Sequence, residues 1–279
     1  MGRFAGTTAA HGLVDHVCHA YDGPHELREH AVPFLAAGVS LGQRLVVVAP
    51  ARDLEAARQL AADASGACDG APEADVVSFE DVDGTGFVDV PKALDRFRSV
   101  LTQAMDDGAS GLRALCLVTD AARDPERRRA FAAWEHLAGA WQSTLPIAST
   151  CAYDRRVLGD AAVTELACLH PRVVGSAPPA PFRLYSRRGR LVLDGEVDTF
   201  AAPLLQRVAA HVRPWPGERL VIDARGLTFV NHRGLQALVE ALARPAGGLT
   251  LLGTRAAPAL LRESLGIGED LLDVLPWVE

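Results

Sequence analysis

The stretch LVVVA at Leu45–Ala49 consists of five apolar residues in a row. A strand with one face in water alternates apolar and polar residues, whereas a strand buried on both faces can be apolar throughout. Strands of the second kind occur in parallel sheets that helices cover on both sides. The stretch therefore predicts an α/β fold for the surrounding part of the chain.

Short apolar runs alternate with helical patterns on both sides of this strand, from His11 to Val174. The predicted strands are Leu13–Tyr21, Leu45–Ala49, Asp75–Phe79, Leu112–Val118 and Ile147–Tyr153. The predicted helices are His25–Ala37, Asp53–Ala64, Pro91–Asp106, Pro125–Trp141 and Ala161–Leu169. This alternation indicates βαβ units, so we expect a mainly parallel sheet with helices on both faces.

Glycine and proline positions add three local expectations. We expect Pro33 to kink or shorten the first helix, and Gly38 to cap the end of that helix. The segment Asp81–Val90 contains two glycines and several acidic residues. We expect it to form a long mobile loop.

The segment Gly175–Pro181, GSAPPAP, has the small-residue and proline composition of a semi-rigid linker. It predicts two domains, at residues 11–174 and 182–279, joined by a linker at 175–181. Two domains also suit the chain length, because domains of about 100–200 residues are usual.

The second half has the pattern of a smaller α/β domain. It begins with a predicted hairpin that turns at Arg188–Gly189. The further elements that we predict are helices at Ala201–Val212, Gly234–Ala243 and Ala256–Ser264, and strands at Leu220–Ile222, Leu249–Leu252 and near Val274.

The overall composition excludes several classes of function. The 279 residues carry a formal net charge of −7, which disfavours nonspecific binding to nucleic acid or to an anionic membrane. No apolar stretch approaches the roughly 20 residues of a membrane span, and the first residues lack a signal-peptide pattern. The five cysteines form no CxxC pair, so we expect reduced thiols. A cytoplasmic protein is expected.

The stretch LTFVNHRGLQALVEAL at Leu227–Leu242 has the pattern of a strand end, a tight turn and an amphipathic helix. Together with Gly195–Asp198 and Val221–Asp223, it resembles the STAS domain of sulphate transporters and anti-sigma-factor antagonists. The resemblance implies an anti-sigma factor or a related kinase-type ATPase as the partner. The implied partner-binding residues are Asp198, Thr228, Asn231, His232, Arg233 and Gly234.

The turn lacks the phosphorylatable serine of that family, because His232 occupies its position. Phosphorylation of this loop on a hydroxyl is therefore not expected, and a phosphohistidine is a less favoured alternative. Asn231 has a simpler explanation as the N-cap of the helix, and Gly234 as a residue of tight helix packing. His232 and Arg233 are either partner contacts or exposed turn residues.

The first half contains the motif DHVCHAY at Asp15–Tyr21, followed by Glu26 and by PFLAAGV at Pro33–Val39. With Cys151–Asp154 and His170, these residues resemble the MEDS sensory domain of methanogens, methylotrophs and the regulator DcmR. The resemblance implies a degenerate RecA-like core that senses small apolar or one-carbon compounds.

Enzymatic and metal sites find little support in the motifs. The only lysine, Lys92, follows a proline rather than a glycine, so ATP hydrolysis at a Walker-type site is not expected. Nucleotide binding in another mode stays open, and no cofactor is expected. His16 and Cys18 share one face of a strand while His19 points away, and no zinc-ligand spacing is present, so no metal site is expected. No nucleophile elbow surrounds Ser149–Cys151, and no catalytic residue is assigned.

We retain His16, Tyr21, Cys151 and Tyr153 as candidates to line a ligand pocket. The hypothesis is a cytoplasmic signalling regulator, not an enzyme, in which a small-ligand sensor is coupled to a protein-binding domain. Two alternatives are an enzyme or small-molecule carrier that uses the N-terminal crevice, and a constitutive scaffold.

Overall fold

The computed structural model describes residues 15–67, 74–78, 90–187, 190–212, 219–243, 247–254 and 256–276. The predicted loop Asp81–Val90 lies, apart from its last residue, outside these ranges, and so does the predicted hairpin turn at Arg188–Gly189.

The first domain is built on a six-stranded sheet in which all strand pairs are parallel. Its strands are β1 (Asp15–Tyr21), β2 (Arg44–Ala49), β3 (Asp75–Ser78), β4 (Leu112–Leu117), β5 (Ile147–Asp154) and β6 (Arg172–Gly175). The order across the sheet is β3-β2-β4-β5-β1-β6, so β1 lies between β5 and β6. The predicted parallel sheet is confirmed, and β6 is an additional strand.

Helices pack on both faces of this sheet, as predicted. They are α1 (Pro24–Ser40), α2 (Leu54–Gly66), α3 (Val90–Asp106), α4 (Thr119–Arg123), α5 (Pro125–Gln142), α6 (Arg155–Leu158) and α7 (Asp160–Ala167). Phe34 of α1 and Leu60 of α2 belong to the core on one face. Phe131 of α5 and Leu166 of α7 belong to the core on the other face.

Helix α1 differs from its prediction. It continues through Pro33 to Ser40, so the expected shortening is wrong, and Gly38 lies inside the helix rather than at its end. The reason for a glycine here is tertiary: a Cβ on Gly38 would lie only 2.6 Å from Cδ of the buried Arg113. The Arg113 side chain is held by Gln43, whose Oε1 accepts a hydrogen bond of 2.7 Å from Nε.

The second domain is a smaller α/β unit with a mixed sheet. Its strands are β7 (Phe182–Arg187), β8 (Arg190–Val197), β9 (Leu220–Asp223), β10 (Leu227–Val230), β11 (Leu249–Thr254) and β12 (Leu272–Pro276). Strand β8 pairs antiparallel with β7 and parallel with β9 and β10, and β9 continues the sheet through β11 to β12. Its helices are α8 (Ala202–Ala209), α9 (His232–Leu238, extended by a π-helical turn at Val239–Ala243) and α10 (Ala256–Ser264).

The two domains make direct contacts. The backbone N–H of Leu184 in β7 donates to the carbonyl of Cys168 at 2.6 Å, and Nη1 of Arg183 donates to the carbonyl of Pro171 at 2.8 Å. A buried pair joins α7 to the end of α8, with Nε2 of His211 lying 3.1 Å from Oε1 of Glu165. The exact bounds of the predicted linker and domains stay a prediction.

Candidate functional site

Strand register brings three of the predicted pocket residues to one face of the first sheet. In the parallel pair of β1 and β5, His16 lies opposite Ser149 and Cys18 lies opposite Cys151. Residues in register on neighbouring strands point to the same face, as do residues two apart on one strand. His16, Cys151 and Tyr153 therefore share the face that α5 and α7 cover.

Glu135 of α5 lies at the centre of this face. Its Oε2 atom lies 3.1 Å from Nε2 of His16 and accepts a hydrogen bond from the Cys151 thiol at 3.4 Å. Its Oε1 atom accepts a hydrogen bond of 2.6 Å from the Tyr153 hydroxyl. Because an ionised carboxylate can only accept, Nε2 of His16 carries the proton in this contact. Glu135 thus connects side chains of β1 and β5.

His170, which follows α7, completes the group. Its Nδ1 lies 2.9 Å from the carbonyl of Leu166, so Nδ1–H donates to this carbonyl. Nε2 of His170 lies 3.6 Å from Oε2 of Glu135 and has no hydrogen-bond partner among the residues that the structure describes. We call this group the buried cluster: His16, Glu135, Cys151, Tyr153 and His170.

Burial changes the ionisation of the buried cluster, whose residues are at most 5% exposed. Burial by itself would raise the pKa of Glu135, but the positive charge of His170 in its protonated form and the hydrogen bonds from His16 and Tyr153 lower it to about 2. Burial, with the nearby ring of His16, lowers the pKa of His170 to about 4. At neutral pH the cluster therefore contains an ionised carboxylate beside an uncharged His170.

The Cys151 thiol lacks the properties of a nucleophile. Hydrogen bonding with Cys116, burial and the charge of Glu135 all raise its pKa. Nucleophilic cysteines need the opposite, a pKa lowered by a positive environment. The cysteines at 18, 116, 151 and 168 are free and buried, as expected, and Cys68 lies outside the described residues.

Tyr21 lies apart from the other three predicted pocket residues. It is five positions after His16 on the same strand, and an odd separation places two side chains on opposite faces. Its ring belongs to the core on the α1 and α2 face, 5.7 Å from the ring of His19. The alternation that separates His16 from His19 would have excluded Tyr21 from a common pocket.

A cavity of about 370 Å³ borders the buried cluster and lies between the two domains. The first domain lines it with His16, Gly139 and Pro171, and the second with Tyr185 and Arg187. Gly139 leaves space for the His16 ring, because a Cβ there would lie 3.1 Å from Nδ1. A larger cleft of about 750 Å³ in the second domain is lined by none of the candidate residues. The smaller cavity is therefore the better candidate for a ligand site.

The predicted partner-binding residues of the second domain lie on adjoining segments. Nδ2 of Asn231 donates to Oγ1 of Thr199 at 3.1 Å, which joins the segment after β10 to the loop after β8. Oδ1 of Asn231 accepts a hydrogen bond of 2.9 Å from the backbone N–H of Gly234, so its N-cap role is confirmed. Asp198 accepts hydrogen bonds from the N–H groups of Phe200 and Ala201, and Oγ1 of Thr228 donates to the carbonyl of Gly195.

The same segments expose aromatic and charged side chains. Phe200 is 91% exposed and Phe229 is 50% exposed, and His232 and Arg233 are exposed as well. Gly234 is buried, and a Cβ on it would lie 1.9 Å from the carbonyl oxygen of Val197. We call Phe200, Phe229, His232 and Arg233 the loop surface.

The family model of the MEthanogen/methylotroph, DcmR Sensory domain (MEDS) matches residues 15–171, more than half of the 279 residues. The chain belongs to the MEDS family. The match ends before the second domain, so the STAS resemblance stays a prediction. No curated protein matches the chain significantly. Among the described helices, none has the length and apolarity needed to cross a membrane.

Two residues of the buried cluster, Glu135 and His170, were not predicted as site residues from the sequence. Glu135 lies on the apolar face of α5, at helical spacing from Phe131, Ala138 and Gln142. A carboxylate on that face is a signal that could have identified it, because charged residues are rarely buried without a partner. His170 belonged to the motif of the MEDS resemblance, but no local pattern indicated what its ring contacts.

Proposed function

We propose that this chain is a cytoplasmic sensor, not an enzyme, in which a small molecule bound by the MEDS domain controls protein binding by the second domain. Membership of a sensory family supports a role in signalling. The observation that carries the proposal is the contact between the segment around His170 and strand β7.

The segment of residues 168–171 belongs to both halves of this mechanism. His170 takes part in the buried cluster, while the carbonyls of Cys168 and Pro171 on either side accept hydrogen bonds from Leu184 and Arg183 of the second domain. A displacement of His170 would therefore change the groups that hold β7. A ligand shifts such an equilibrium only if it binds the two arrangements with different affinities.

The 370 Å³ cavity is where we place the ligand. Its walls include His16 of the buried cluster and Tyr185 of β7, so one molecule there contacts both domains. Asp15, Gln142, Ser143 and Arg172 also line it. This polar lining favours a small molecule with at least one hydrogen-bonding group. Among the small apolar or one-carbon compounds that the family resemblance implies, it therefore favours those that carry such a group.

The loop surface is where we place the protein partner, an anti-sigma factor or a related kinase-type ATPase. Exposed aromatic residues are frequent anchors of protein interfaces. His232 has no hydroxyl group, so the ligand of the MEDS domain, rather than phosphorylation of this loop, would control the interaction.

The first experiment identifies the partner with the full-length protein as bait in extract of the native cells. We expect a kinase-type ATPase with the wild type and its loss with the double variant Phe200→Ser, Phe229→Ser. The matched control is Leu260→Ser, which removes an apolar side chain that is 61% exposed on α10. Equal recovery of the ATPase by all three proteins would show that the loop surface does not bind the partner.

The second experiment tests the coupling. Ligands found by thermal-shift screening are added to calorimetric titrations of the full-length protein with its partner. The affinity should change with ligand in the wild type, and change less in Arg183→Ala, which lacks the hydrogen bond to Pro171. Arg58→Ala is the control, because the ion pair of Arg58 with Glu55 lies within α2. A partner affinity that no ligand changes would contradict the sensor proposal.

A further inference from the structure

The buried cluster has the size of a metal site. One donor atom from each of His16, Glu135, Cys151 and His170 lies within 4.8 Å of all the others. Four of these contacts measure 3.1, 3.4, 3.6 and 3.6 Å. Tetrahedral zinc with bonds of about 2.0–2.3 Å holds its donor atoms about 3.2–3.8 Å apart. The four donors therefore need to move little to surround one ion.

The orientation of His170 provides a second, independent observation. Its Nδ1–H donates to the carbonyl of Leu166, which is the bond that metal-binding histidines commonly make through their outer nitrogen. Nε2 of His170 then lies 3.6 Å from Oε2 of Glu135 and has no hydrogen-bond partner among the described residues. A buried nitrogen of this kind is available to bind a metal ion.

Tyr153 orients the carboxylate for the same purpose. Its hydroxyl holds Oε1 of Glu135, so that Oε2 is the oxygen facing His16, Cys151 and His170. Hydrogen-bonded outer groups of this kind fix the direction of metal ligands.

The charges of such a site also balance. A divalent ion matches one carboxylate and one thiolate, and the thiol proton of Cys151 leaves to solvent. The proton on Nε2 of His16 is exchanged for one on Nδ1.

We propose that His16, Glu135, Cys151 and His170 bind one zinc ion in a tetrahedral site inside the MEDS domain. All four ligands come from the protein and all are buried, which is the pattern of a closed site rather than of a catalytic site with an open position. The ion would tie the segment around His170 to β1 and β5. This proposal does not depend on the identity of the sensory ligand or of the partner.

The test measures zinc retained by the full-length protein after chelator treatment, loading with zinc and desalting. We expect about one zinc per chain in the wild type and an affinity at least about ten-fold lower in Cys151→Ser and His170→Ala. The matched controls are Cys168→Ser and His19→Ala, which change a buried thiol and a buried imidazole outside the four ligands. These controls should bind as the wild type does. No retained zinc in the wild type, or equal affinity in all variants, would overturn the proposal.

Spectroscopy of the wild type alone tests the site even if the variants fail to fold. X-ray absorption of the zinc-loaded protein should require one sulfur and three nitrogen or oxygen ligands. Cobalt(II) in place of zinc should give a tetrahedral visible spectrum with a thiolate charge-transfer band. Zinc bound without a sulfur ligand would mean that the ion lies elsewhere, and the site would be rejected.

Discussion

The two domains place their candidate polar residues in opposite environments, one buried and the other exposed. The MEDS domain assembles its buried cluster from residues as far apart in sequence as His16 and His170, and all five residues are at most 5% exposed. The second domain places its candidate residues on two short segments of the surface, where His232 and Arg233 are exposed. Burial raises the energetic consequence of each polar contact, because a buried group that loses its partner cannot bond to water instead.

The comparison indicates how substitutions in each domain should affect folding and partner binding. In the buried cluster, Glu135 connects the other groups, so removing one side chain leaves several others without a partner. On the loop surface, water can replace a lost contact, so that a substitution there affects partner binding more than folding. The following predictions test this difference in order of decreasing effect.

The largest effect is expected for Glu135→Ala. Removing one partner from a buried charged network typically costs about 3–5 kcal/mol, and we expect a loss of this size in the free energy of unfolding. Urea denaturation with a chelator present excludes any contribution from metal. The control is Glu126→Ala, which changes an exposed glutamate of the same helix. If the two substitutions had equal effects, the buried cluster would contribute no more than a surface contact.

Stability should also fall as the pH decreases from about 6.5 to about 4. Burial lowers the pKa of His19 from 6.5 to about 4, so in this range the unfolded chain binds a proton that the folded chain does not. Stability from this histidine is therefore complete above the unfolded pKa and is lost as the pH falls toward the folded pKa.

The variant His19→Gln should lose less stability over this pH range than the wild type, by about 1–3 kcal/mol. The control on the second domain is His232→Gln, which removes an exposed ring and should leave the slope unchanged. Unfolding curves at several pH values measure the slopes. Parallel curves for wild type and His19→Gln would show that burial of His19 has no such consequence.

Gly234→Ala should show that the second domain also has a tightly packed position beside its exposed loop. The added Cβ would lie 1.9 Å from the carbonyl oxygen of Val197, and overpacking of this kind costs about 1–3 kcal/mol. The control is Gly66→Ala at the end of α2, where an added Cβ has no neighbour within 4 Å. Thermal unfolding of both variants gives the comparison, and equal melting temperatures would contradict the packing argument.

The smallest effect is expected for Asn231→Ala. Loss of an N-cap side chain costs about 1 kcal/mol, because the N–H of Gly234 then loses the acceptor that Asn231 provides. Asn231→Asp keeps an acceptor for this N–H and should recover most of the stability. Denaturation of the two variants beside the wild type measures the difference, and identical losses for Ala and Asp would exclude the cap as the cause.

Local patterns determined much of the fold. The apolar run at Leu45–Ala49 indicated a strand buried on both faces, and alternation of strands and helices indicated the parallel sheet that the structure has. Asn231 was recognised as an N-cap because capping depends on residues three positions apart. Gly38 was misinterpreted and Pro33 does not shorten α1, since the continuation of α1 depends on packing, in which Arg113 fills the space above Gly38.

The residue types of the buried cluster were visible in the sequence, but their association was not. Strand alternation alone places His16 and Cys18 on one face and Tyr21 on the other, since it depends only on backbone geometry. Glu135 of α5 lies close to Nε2 of both His16 and His170. The order of the strands and the sheet face that α5 covers decided this arrangement. Those choices depend on the burial of whole helices and strands against one another, a free energy that no short stretch of sequence contains.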